Sequence, residues 1–93
     1  MRRQADPRDT TERETLICFA LLRQMETPCQ ALRDAYQRLI EAASGAKVAD
    51  MRTVILDWLE AELGLTRAAG AEAGRRGAQL MKGAVALSKA LRQ

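Results

Sequence analysis

The chain has 93 residues, no histidine, two cysteines and one residue each of Phe, Tyr and Trp. That fits one small domain, and it excludes histidine-based triads, a conventional zinc site and an aromatic-rich core. The net charge of +3 conceals a split: nine bases and eleven acids up to residue 64, a net of −2, then six bases and one acid, a net of +5.

Abundant Ala and Leu with only two prolines favour helix throughout. The expected fold class is all-α: a small helical bundle of three to four helices, the last Gly-interrupted and basic. Residues 1–9 read as a flexible N-terminal lead, 10–64 as an acidic helical body, and 65–93 as a basic C-terminal helix or arm of the same domain.

Thr11 followed by Glu14 has the spacing of a capping box, so the first helix is expected over 12–26. Its apolar residues Leu16, Ile17, Cys18, Phe19, Ala20, Leu21, Leu22 and Met25 cover nearly the whole circumference. Such a helix is central in a bundle or shared with another subunit. Arg23 is the one base in this apolar stretch: a helix-end arginine that snorkels to water, or the best candidate for a core arginine.

Thr27-Pro28-Cys29-Gln30 predicts a second start, with Thr27 as cap, Pro28 first in the helix and Gln30 closing the box. Over 28–43, Leu32, Ala35, Tyr36, Leu39, Ile40 and Ala43 share a face, and Asp34 and Arg38 form an i,i+4 pair. Gly45 offers a left-handed stop. Free, buried thiols are expected at Cys18 and Cys29.

A third helix is predicted over 47–63, with Val48, Met51, Val54, Ile55, Trp58, Leu59 and Leu63 inward. Asp50, Asp57 and Glu60 lie on the opposite, solvated face. Gly64-Leu65 reads as a glycine stop and Thr66 as the next cap.

From 66 to 92 one continuous helix would align Gly70, Ala73, Gly77, Leu80, Ala84, Leu87 and Leu91 on one stripe. The alternative is a break at residues 74–77, since each interior glycine costs about 1 kcal/mol against Ala.

No phosphate-binding glycine loop and no metal-ligand spacing is present, so no catalytic, cofactor-binding or metal residue is expected and no enzyme activity is assigned. The expected function is a non-catalytic interaction or regulatory protein, self-associating as a homodimer or docking another protein. Phe19, Trp58, Leu80, Leu87 and Leu91 are the candidate interface. Arg75, Arg76, Lys82 and Lys89 are candidate contacts to an acidic partner or to phosphates.

The alternative is a nucleic-acid accessory protein using the basic arm. Against it stand the absence of aromatics after Trp58 and the acids of the third helix. Peripheral membrane contact is disfavoured by the lack of an aromatic anchor, and no small-molecule ligand is predicted. No targeting or spanning segment is visible, so a cytoplasmic location is the default. The Arg- and Ala-rich composition is similar to that of many small bacterial and phage proteins.

Overall fold

The computed structural model describes residues 7–47, 50–67 and 71–92. They form four helices: α1 (Pro7–Glu26), α2 (Gln30–Gly45), α3 (Met51–Arg67) and α4 (Ala71–Arg92). No strand occurs among the described residues, as the composition predicts. Helices α1 and α2 pack extensively, as do α3 and α4. Contacts α1–α4 and α2–α3 are lighter and the diagonals lighter still, which gives an up-down-up-down bundle of two joined hairpins.

The buried core takes Leu16 and Ala20 from α1, Leu32, Ala35, Tyr36 and Leu39 from α2, Met51, Ile55, Trp58 and Leu59 from α3, and Leu80, Ala84 and Leu87 from α4. The inward faces expected for α2 and for the late part of α4 are those observed. Tyr36 and Trp58 meet at the centre with ring centroids 5.6 Å apart. The Trp58 indole Nε1–H donates to the Ala35 carbonyl at 2.7 Å, which satisfies the only polar atom of this buried ring.

Helix boundaries depart from expectation at several caps. Helix α1 starts at Pro7 and not after Thr11: proline fits the first turn of a helix, and Thr11 lies inside it. The rest of the expected lead, residues 1–6, lies outside the described residues, as do Val48 and Gly70.

Helix α2 starts at Gln30. Cys29 occupies the cap position without a side-chain cap bond, displacing Thr27 from that role. The Gln30 side chain is engaged elsewhere, donating to Asp34 Oδ1 at 2.8 Å and accepting from Arg33 Nη2 at 2.7 Å. The link 27–29 is held by Arg33, whose Nη1 donates to the Thr27 and Pro28 carbonyls at 3.0 and 3.1 Å.

Neither Gly45 nor Gly64 adopts a positive φ, and both lie within helices. At the end of α2 the carbonyls of Ala43 and Ala46 accept hydrogen bonds from Arg13 Nη1 of α1. A side chain thus does what a glycine stop does elsewhere. Helix α3 starts at Met51, later than expected, because Asp50 caps it: Asp50 Oδ1 accepts from the Arg52 N–H at 3.0 Å. Helix α3 runs through Gly64 to Arg67, so Thr66 is inside it and is no cap.

Helix α4 is unbroken from Ala71 through Gly74, Gly77 and Gly83. Packing offsets the cost of two of these glycines. A Cβ on Gly77 would sit 3.2 Å from Leu63 Cδ2, and one on Gly83 would sit 2.2 Å from the Tyr36 hydroxyl. Neighbouring helices approach where these side chains are missing.

Candidate functional site

Two surface features stand out, and α1 contributes to both. Leu16 and Ala20 turn inward, which by helical spacing directs Cys18, Leu21, Leu22 and Met25 outward. All four are exposed, Met25 at 78% and Leu22 at 45%, and Phe19 beside them is 38% exposed. The result is an uncharged stripe at i, i+3, i+4 and i+7. Apolar exposures also occur singly at Leu56 on α3 and as a pair, Met81 and Val85, on α4.

The second feature is a cleft of about 400 Å³ where the C-terminal end of α1, the N-terminal end of α2 and the early part of α4 converge. Arg23, Arg75 and Arg76 line it with one acid, Glu26, while Cys29 and Leu32 form part of its wall. Among the described residues that line it, guanidiniums outnumber carboxylates three to one. Arg76 Nε is the one buried side-chain nitrogen or oxygen without a hydrogen-bond partner among the described residues. The first turn of α2 carries no acid and its cap makes no side-chain bond, so the positive end of that helix dipole is not offset locally.

A second cleft, of about 440 Å³, adjoins Arg38, Trp58 and Glu62. Its arginine and its buried acid are already matched. Arg38 Nε and Nη2 donate to Glu62 Oε2 and Oε1 at 2.5 and 2.8 Å, in the two-pronged geometry that suits guanidinium and carboxylate. The hydrogen bond to Glu62 raises the Arg38 pKa above its ordinary value.

The expected site residues separate into groups. Trp58, Leu80 and Leu87 are buried in this chain's own core, and Leu91, half-buried, packs against it. Phe19 alone of the five is exposed. Arg75 and Arg76 join Arg23 in the cleft, a convergence that their separation of about fifty positions hides. Lys82 and Lys89 are exposed on α4 and do not line the cleft. Asp57 and Glu60 are exposed as expected.

Both cysteines are free, but Cys18 is exposed and Cys29 half-buried, against the expectation of two buried thiols. Sequence reasoning missed Glu62, which is 3% exposed and pairs with Arg38 in place of the expected Asp34–Arg38 pair. The signal was its position, four residues after Trp58 and seven after Ile55. Nothing in the sequence marks Arg13 as the residue that closes α2.

Among the described residues no cluster of three Cys, Asp or Glu side chains is placed to hold a metal ion. No described helix is long and apolar enough to cross a membrane. No protein-family model, curated protein sequence or solved structure matches the chain, and function has to be read from these residues themselves.

Proposed function

We propose that this bundle is a non-catalytic interaction module that pairs with a second copy of itself through the outer face of α1. The observation that carries this reading is the uncharged stripe of Cys18, Leu21, Leu22 and Met25, which turns away from the core and yet is apolar. A charged rim or a polynucleotide finds nothing to pair with there. An identical stripe matches it in length and chemistry, and a twofold axis makes one patch self-complementary. With the axis near Leu21 and Leu22, Cys18 faces the partner subunit's Met25. One helix face is small for a specific interface, so a dissociation constant in the micromolar range is expected.

Light scattering and sedimentation over about 5–300 µM test the reading. The expected result is a monomer–dimer equilibrium that Leu22→Glu shifts to monomer while helicity is retained, since Leu22 lies outside the core. A wild-type chain that stays monomeric across the range overturns it.

A second reading rests on a different observation. Arg75, Lys82 and Lys89 are all exposed and recur every seven residues, along one side of α4 at steps of about 10 Å. That line suits a phosphate backbone. Binding of a short duplex that weakens steeply with salt, and that is lost on reversing Lys82 and Lys89, supports it.

A further inference from the structure

We propose that the cleft between α1, α2 and α4 binds a compact organic oxyanion, a phosphate or carboxylate group carried on a small apolar body. This goes beyond self-pairing and does not depend on it, because it uses the ends of the helices and not the outer stripe of α1.

Three observations converge. First, the charge is concentrated: Arg23, Arg75 and Arg76 reach one space of about 400 Å³ from two helices that are far apart in sequence, with Glu26 the only acid among the described residues that line it. Like charges gathered in one cleft repel each other, and an anion relieves that repulsion. The chain shows what a matched arginine looks like, since Arg38 has Glu62 at 2.5 and 2.8 Å. Nothing equivalent meets Arg76.

Second, Arg76 Nε is buried and has no hydrogen-bond partner among the described residues. A buried donor without an acceptor is costly, so the Arg76 guanidinium gains by turning toward an oxyanion held in the cleft.

Third, the wall is mixed. Leu32, Pro28 and Cys29 bring apolar surface and the start of α2 to the same space. Arg33 holds the backbone of Thr27 and Pro28, so this wall is fixed before a ligand arrives. A volume of about 400 Å³ exceeds what inorganic phosphate fills and suits a small organic molecule. An anionic head at the guanidiniums and an apolar body against Leu32 use both parts of the lining.

The test uses the full chain with three soluble probes, phenyl phosphate, benzoate and inorganic phosphate, by titration calorimetry and thermal shift at fixed ionic strength. The expected result is saturable binding at one site per chain, with phenyl phosphate or benzoate at least tenfold tighter than inorganic phosphate. Which of the two binds tighter identifies the head group. Arg76→Gln should weaken binding at least tenfold and Lys89→Gln, which removes one charge outside the cleft, less than twofold.

Should Arg76→Gln fail to fold by circular dichroism, Arg23→Gln is read in its place with the same expected loss. As a local readout, the bound probe should slow alkylation of Cys29 and leave Cys18 unaffected. Absence of saturable binding by all three probes to 10 mM overturns the proposal. So does equal weakening by Arg76→Gln and Lys89→Gln, which would mean general charge attraction only. The light-scattering result for Leu22→Glu is independent of either outcome.

Discussion

Glu62 of α3 is buried to 3% exposure and receives two hydrogen bonds from Arg38 of α2, a residue whose side chain remains half in water. The pair fixes how the second helical hairpin lies against the first. Removing the arginine leaves a carboxylate in the bundle without its donor. Arg38→Ala is therefore expected to cost about 2 kcal/mol, below the fully buried case because water reaches the Arg38 side. Glu62→Leu should be much less costly, and the Arg38→Ala/Glu62→Leu double variant should recover most of the Arg38 loss. Urea unfolding of the four proteins measures the coupling.

Two glycines of α4 should respond in opposite directions to the same substitution. Gly74 is exposed with open space where a Cβ would go, so Gly74→Ala should stabilise by up to about 1 kcal/mol. At Gly83 the added Cβ would sit 2.2 Å from the Tyr36 hydroxyl and 3.2 Å from its Cζ. Tyr36 is buried and has little room to move, so Gly83→Ala should destabilise by about 1–3 kcal/mol despite its better helix propensity. Tyr36→Phe should relieve part of that clash. Thermal melts of these variants decide it.

Asp50 gives the chain a pH dependence with a defined sign. The Arg52 backbone N–H, aided by the Arg52 side chain, holds the Asp50 carboxyl below its ordinary value. A depressed carboxyl stabilises the fold above its unfolded pKa, and the contribution fades as pH falls through the folded one. Asp50→Ala should melt below wild type at pH 7, and the gap should close as the pH drops below the ordinary carboxyl value of 3.8. Asp50→Asn, which keeps an acceptor at the cap, should lie between them at pH 7.

The two thiols should be distinguishable without denaturant. Cys18 is exposed and Cys29 half-buried, so a thiol reagent should show a fast and a slower phase of equal amplitude. If α1 pairs as proposed, the fast phase should slow as protein concentration rises, and Leu22→Glu should abolish that dependence.

The inward faces of α2 and α4 were legible because Leu39 and Leu80 recur with their neighbours at helical spacing, and burial follows spacing. The ends were not. A cap depends on what lies beside it in space, and Arg13 reaches the end of α2 from thirty residues away. The same blindness hid the cleft. Arg23 looked like an isolated base and Arg75-Arg76 like part of an arm, until the antiparallel return of α4 set them side by side. Trp58, Leu80 and Leu87 looked suited to a partner because a broad apolar face carries no label saying which surface will cover it. Here their own bundle covers it.

An even number of antiparallel helices has a practical corollary. The chain returns to the end from which it set out, so the first turn of α1 and the last turn of α4 lie at one pole, while Arg23, Arg75 and Arg76 occupy the other. A tag, a surface tether or a fused neighbour that leaves from the first turn of α1 or the last turn of α4 starts at the pole opposite the arginines. Held at that end of the bundle, the protein should still present the arginine pole to solution.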